Sequence, residues 1–239
     1  MRRVFLLRAY GDFAIAVQAL AATDVIVASL HLKPLYDALV SRACLESRAI
    51  EFVDFGIKGS QLNLFTNKAL FSSDTFRQLS KIKDYISANP GSSDFVEQSA
   101  RLGLLNLLTG HSFKAMFETG EPVYAAYALQ AQGLEKQGDK VLIMPDARLA
   151  KRVIPASIVE RIDGRVARFG SDYSSFEQLI DLIQASDYVV TADSLPLHLA
   201  HLCRKPHFIL YPDGGKQDFF TPDALAAGSF STFSQFTHV

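Results

Sequence analysis

The chain alternates short continuous apolar blocks with stretches in which apolar positions recur every three or four residues. Continuous blocks mark strands buried on both faces of a parallel sheet, and the wider spacing is that of an amphipathic helix. In the first third, Val4–Leu7, Asp24–Ala28 and Ile50–Asp54 read as strands. Helices expected from Asp12 through Leu20 and over Leu35–Cys44 complete the β-α-β-α-β order of a Rossmann-like half. Gly11 permits a tight turn there, and Asp12 is the expected N-cap of the first helix. From Gly56 to Gly120 the pattern weakens. Phe76–Ser87 and Phe95–Leu108 read as helices, parted by the breaker Asn89-Pro90-Gly91-Ser92-Ser93. Tyr124–Lys136 has helical spacing and ends in the stop signal Gln137-Gly138-Asp139.

A second strand–helix series follows: strand Val141–Met144, helix Pro155–Ile162, strand Val166–Phe169, helix Phe176–Ala185, strand Tyr188–Thr191, helix Pro196–Cys203, and His207–Tyr211 as the last strand. The expected division is therefore an α/β domain over 1–137 and a second over 138–239. Two α/β halves imply a cleft between them. In open parallel sheets ligands bind beyond the carboxyl ends of the strands, so the loops there are where the chemistry is expected. The Ser/Phe-rich tail from Gly228, with His238, is expected either to be disordered or to pack back on the first domain.

Composition narrows the class. The 239 residues are 49% hydrophobic and 21% charged, enough apolar material for a sizeable core. With 24 Lys+Arg against 25 Asp+Glu the net charge is −1, which lacks the basic footprint of a non-specific nucleic-acid binder. The apolar run before Arg8 is shorter than the roughly 7–15 residues of a signal-peptide core, and no segment reaches the ~18 apolar residues of a membrane span. A cytoplasmic location is expected. Cys44 and Cys203, far apart and without metal-ligand spacing, are expected to be buried thiols in a reducing compartment.

Four strand-end loops carry candidate chemistry. Thr191-Ala192-Asp193-Ser194-Leu195-Pro196-Leu197-His198-Leu199-Ala200 follows a strand and opens a helix. Asp193 or Ser194 can cap it, Pro196 suits its first turn, and the free amides with the helix dipole favour an anion such as a diphosphate. A well-capped helix explains the same residues without a ligand. His198 and His201 share a face, but no Glu follows His198 as in HExxH, so no metal site is expected. Adjacent Asp193 and Ser194 cannot bracket His198 as a nucleophilic triad. Arg8-Ala9-Tyr10-Gly11-Asp12 places a carboxylate at a helix start, where it can serve as a general base or merely cap the helix. G-x-G-x-x-G is absent there. Asp146-Ala147-Arg148-Leu149-Ala150-Lys151-Arg152 puts Arg148, Lys151 and Arg152 near a strand end, suited to phosphate or simply to solvent. Pro212-Asp213-Gly214-Gly215-Lys216 allows close backbone approach, as an ordinary turn also does.

Taken together, these loops resemble glycosyltransferase family 9, the bacterial heptosyltransferases. The similarity rests on Asp-Ser-x-Pro-x-His-x-Ala at 193–200, Lys205-Pro206 before a strand, the Gly11-Asp12 pair, and Met144-Pro145-Asp146-Ala147 through Lys151-Arg152-Val153-Ile154-Pro155. The resemblance implies a GT-B fold, two Rossmann-like domains facing across a cleft, and metal-independent transfer of a heptose-like sugar from a nucleotide sugar. ADP-heptose is among the donors it suggests, with a saccharide or lipopolysaccharide-type glycolipid as acceptor. The absence of Asp-x-Asp agrees. No cofactor, no nucleic acid and no transmembrane segment are implied, and peripheral contact with the inner membrane fits a glycolipid acceptor. By position, Asp12 would be the catalytic base, with Gly11 beside it. Lys151 would neutralise the donor diphosphate, Asp193, Ser194 and the amides from Leu195 onward would hold the donor, and His198 would support that loop. Leu195 stands where the family has glycine, Val153 where it has tryptophan, and the chain is shorter than typical members. A catalytically silent nucleotide-sugar-binding or regulatory protein therefore stays open as an alternative, as does another enzyme on the same scaffold, such as an epimerase or phosphosugar hydrolase.

Overall fold

A computed structural model describes residues 2–7, 9–17, 20–58, 73–92, 94–97, 103–116, 140–214 and 230–236. The chain forms two compact units, one from Met1–Tyr36 with Ser47–Glu121, the other from Asp37–Glu46 with Pro122–Val239. The expected boundary at 137/138 and the Tyr124–Lys136 helix lie outside the described residues.

The first unit is built on a parallel five-stranded sheet of β1 (Arg2–Leu6), β2 (Val25–Ser29), β3 (Ile50–Val53), β4 (Asp94–Glu97) and β5 (Phe113–Ala115), in the order β3-β2-β1-β4-β5. β1 is central, and Val4, Phe5 and Leu6 are fully buried, as a strand covered on both faces requires. Phe5 meets the rings of Phe55, Tyr85, Phe95 and Phe113 at centroid distances of 5.4–6.4 Å. Helix α3 (Ser73–Ala88) closes this face with Leu79, Ile82 and Ile86.

Four expectations change here. The helix expected over Phe95–Leu108 is β4 at its start and α4 (Gly103–Thr109) at its end. A two-residue apolar core flanked by Asp94 and Glu97 is too short to read as a strand; it becomes one because β1 supplies its ladder. Helix α1 (Tyr10–Ala16) begins before Asp12: Ala9 is the N-cap, and the Phe13 amide donates to the Ala9 carbonyl at 3.0 Å. Asp12 is thus a first-turn acid rather than the cap, and Gly11 lies inside the helix instead of forming a turn. The described helix ends at Ala16, short of Leu20.

The second unit also holds a parallel five-stranded sheet, of β6 (Val141–Met144), β7 (Arg165–Val166), β8 (Tyr188–Ala192), β9 (His207–Tyr211) and β10 (Phe230–Thr232), but in a different order, β10-β9-β8-β6-β7. Helix α5 (Ala156–Val159) is shorter than the expected Pro155–Ile162, with Pro155 as its N-cap and Glu160 as its C-cap. β7 likewise stops at Val166. Helix α6 (Phe176–Ala185) matches its sequence pattern: Ser175 Oγ accepts from the Gln178 amide, and the Gln178 side chain accepts from the Ser174 amide at 2.8 Å. The Ser175 cap is worth on the order of 1 kcal/mol to the helix. Helix α7 (Leu195–Leu202) follows β8.

His207–Tyr211 is not the last strand, since β10 extends the sheet beyond it. The described part of the tail, through Phe236, belongs to the second unit and not to the first. Phe236 is 4% exposed, stacks near Phe208, and has the Arg161 guanidinium 5.2 Å over its ring.

Candidate functional site

Strand order locates the candidate site in each unit. In the second unit the chain leaves β6 for β7 on one side, then crosses to β8 on the other. The carboxyl ends of β6 and β8 therefore flank a topological switch point, where the loops diverge and leave a crevice for a ligand. The β6 loop is closed by the Ile154 amide donating to the Pro145 carbonyl at 2.9 Å, and a 3₁₀ turn over Ala150–Arg152 presents Lys151 and Arg152. The β8 loop enters α7 with Ser194 as N-cap.

The two loops are stitched together. Arg152 Nη1 lies 3.1 Å from Asp193 Oδ2, and Ser194 Oγ donates to the Asp146 carbonyl at 3.1 Å. Arg168, just past β7, pairs with the Asp146 carboxylate. The Ser194 side chain is engaged by this bond and makes no side-chain cap of its helix. In the first turn of α7 Pro196 has no N–H and the Leu197 amide donates to the Ser194 carbonyl at 3.2 Å, which leaves the Leu195 amide facing the helix N-terminus for an anion.

Leu195 is the first residue of α7 and is half-buried. Its φ is not positive, for among the described residues only Ala43 and Arg204 are non-glycine residues in that region. The backbone therefore accepts a side chain at 195 without strain. Lys151 is exposed on the β6 loop; the cation that meets Asp193 is Arg152. His198 is buried at 6% exposure, not placed on an accessible wall. Burial, reinforced by His201, His207 and Arg152, lowers its pKa to about 3, so its ring is neutral at pH 7 and supports the loop as an uncharged group. His201 is also buried, with its pKa lowered to about 4 by burial and His207.

Several residues here escaped the sequence. Arg168 became visible only once β7 was seen to end at Val166. Phe169, next to it, is 70% exposed and lies edge-to-face with Tyr173 at 5.8 Å. Burial, then the charges of Asp146 and Asp172, raise the Tyr173 pKa and keep its hydroxyl protonated.

In the first unit the switch point lies between β1 and β4. Asp12 and Gly11 sit in the first turn of α1, just beyond β1, and both are half-buried. Tyr10 packs edge-to-face on His31 at 5.7 Å, and His31 Nδ1 is 2.9 Å from Ser29 Oγ at the end of β2. Glu97, at the carboxyl end of β4 and in register with Phe5, is fully buried. It is a second carboxyl group at this switch point, hidden in the sequence by the helical reading of Phe95–Leu108. Among the described residues no group of three or more His, Cys, Asp or Glu is placed to hold a metal, and no helix is long and apolar enough to cross a membrane.

No protein-family model matches the sequence, and no curated protein matches it. Solved structures do. E. coli ADP-heptose LPS heptosyltransferase II superposes with a TM-score of 0.51 at 12% identity, over 97% of this chain and 89% of that one. E. coli heptosyltransferase WaaC with ADP-2-deoxy-2-fluoro heptose gives 0.49 at 12% identity, over 97% and 92%, and WaaC with ADP gives 0.48 at 11%, over 100% and 96%. At such identity the likeness to heptosyltransferase II is one of fold: a mixed α/β chain with two parallel sheets.

Proposed function

We propose that the chain is a metal-independent GT-B glycosyltransferase that moves a sugar, heptose-like in size, from a nucleotide diphosphate donor to a saccharide or glycolipid hydroxyl. The observation that carries this reading is the switch point of the second unit. There Asp146, Arg152, Asp193 and Ser194 tie two strand-end loops into one frame around the start of α7. Such a frame suits a diphosphate, because its donors are fixed before the ligand arrives.

In this reading exposed Lys151 screens the diphosphate, while the N-terminus of α7 faces its oxygens. Asp193 and Ser194 shape the loop, Leu195 contributes its backbone N–H, and neutral His198 fixes the helix beneath. The exposed ring of Phe169 offers a face on which the base can stack. Asp12, with Gly11 beside it, accepts the proton of the acceptor hydroxyl. The acceptor oxygen attacks the anomeric carbon, the bond from that carbon to the diphosphate oxygen breaks, and the diphosphate leaves with the electron pair. Structural kinship with a heptosyltransferase supports this at the level of fold.

The test is release of nucleoside diphosphate from ADP-, UDP- and GDP-sugars in the presence of deacylated lipopolysaccharide-core acceptors, without added metal. Acceptor-dependent release from one donor class supports the proposal. Tight donor binding with no release from any pair would instead favour the catalytically silent reading that Leu195 left open.

A further inference from the structure

The two cysteines, 159 positions apart in sequence, meet in the second unit with Cys44 Sγ 2.8 Å from Cys203 Sγ. That is well inside the van der Waals contact of two sulfurs and less than 1 Å beyond the ~2.05 Å of a disulfide bond. Both side chains are half-buried, so small oxidants reach them.

The placement is built from several independent contacts. Beyond helix α2 (Lys33–Ser41), Ala43 is in the left-handed region, at φ 54°, and the Cys44 amide donates to the Leu39 carbonyl at 2.9 Å. This turn aims Cys44 away from the helix axis. Arg42 then holds the segment to α6 through a two-pronged pair with Asp181, at 2.5 and 2.9 Å. Gln184, one turn further along α6, donates to the Arg42 carbonyl at 2.8 Å and to Cys44 Sγ at 3.3 Å. Cys203 is the C-cap residue of α7, so its backbone is fixed by the helix.

The electrostatics make the pair unequal. Either thiol can donate across the contact, but the Gln184 amide donates to Cys44 Sγ, and the hydrogen bonds from Cys203 and Gln184 lower the Cys44 pKa. The same shared proton and burial raise that of Cys203. The thiolate therefore forms on Cys44, and the thiolate is the reactive species.

We propose that Cys44 and Cys203 are a redox-active pair, in which Cys44 reacts with a hydroperoxide and Cys203 resolves it to an intrachain disulfide. The Cys44 thiolate attacks one peroxide oxygen, the O–O bond breaks, and the departing oxygen takes a proton to leave as water or an alcohol. Cys44 becomes a sulfenic acid. The Cys203 sulfur, giving up its proton, then attacks Cys44 sulfur and displaces hydroxide, which leaves as water. Two thiols and one hydroperoxide give one disulfide, one water and one further water or alcohol; the two electrons lost by sulfur reduce the O–O bond. A dithiol reverses the step. The bond would clasp the 42–45 segment to the C-terminal end of α7, the helix whose other end carries Ser194.

The experiment treats the full-length protein with one equivalent of hydrogen peroxide and maps thiols and linked peptides by mass spectrometry under denaturing, non-reducing conditions. The expected result is loss of two hydrogens and a single peptide pair joining Cys44 to Cys203 within a monomer, reversed by dithiothreitol. Before oxidation, Cys44 should alkylate at least about tenfold faster than Cys203. In Cys203→Ser, Cys44 should accumulate as a sulfenic acid that dimedone traps, while Cys44→Ser should give no adduct at 203. Two free thiols after oxidation, a link found only between chains, or equal alkylation rates would overturn the proposal. The wild-type map decides the question even if a serine variant misfolds.

Discussion

Both units carry a parallel five-stranded sheet in which the chain reverses beside the first strand, β1 at the centre of one and β6 next to the edge of the other, and they furnish the two switch points differently. Beside β6 and β8 the described loops are joined by charge: Arg152 to Asp193, Arg168 to Asp146, and Ser194 to the Asp146 carbonyl. Beside β1 the described groups are a half-buried carboxylate, Asp12, and the Tyr10–His31 ring pair, with the buried Glu97 closing β4. A site with fixed cations beside a helix N-terminus suits a ligand that arrives carrying charge. A site with a carboxylate among rings suits a neutral ligand that must surrender a proton. Two different strand orders, each with one switch point, thus support two different tasks.

If that division is right, substitutions in the two units should fail in different ways. The largest effect is expected for Asp12→Asn, which should lower transfer by about 10²–10⁴-fold while changing nucleotide affinity less than about twofold. Parallel loss of both in rate and binding assays would break the comparison. Next comes packing. Phe5→Ala empties the centre of the five-ring cluster in the first unit and should cost about 3–5 kcal/mol, read from denaturant unfolding.

A pH effect follows, and it belongs to the second unit. Burial depresses the folded pKa of His198 to about 3 and of His201 to about 4, against about 6.5 in an unfolded chain. Below that unfolded value the unfolded chain binds more protons, so stability is full above pH 6.5 and falls as the pH drops toward the folded values. At pH 5 each of the two residues should remove about 2 kcal/mol. Melting curves from pH 7.5 to 5 should show the decline, and His201→Gln should flatten it; an unchanged slope would contradict the assignment. The smallest effect is expected for Lys151→Ala, a roughly tenfold loss of nucleotide affinity with the fold intact.

Sequence pattern found the elements that carry their own signal. Phe176–Ala185 has a capping serine and an apolar stripe, and His207–Tyr211 is one apolar run; both match the structure to the residue. What it missed depended on partners far away in the chain. β4 is a strand because β1 pairs with it, and so Glu97 was hidden in an expected helix. β10 follows a stretch without a strand signal and is recruited by β9. At the site, the sequence singled out the β6 and β8 loops, since strand ends before helices are legible. It could not tell that Arg152, rather than Lys151, meets Asp193, or that Arg168 reaches Asp146, because the choice among neighbouring cations is made by the turn geometry over Ala150–Arg152.

The central claim is that the second unit's switch point binds a nucleotide diphosphate. Its most direct test is calorimetric titration of the protein with ADP, UDP, GDP and their sugar conjugates, without added metal, beside Lys151→Ala and Asp12→Asn. The account predicts saturable binding of one nucleotide class, weakened about tenfold by Lys151→Ala and unaffected by Asp12→Asn. Absence of binding to every nucleotide, or equal binding by the wild type and Lys151→Ala, would contradict it.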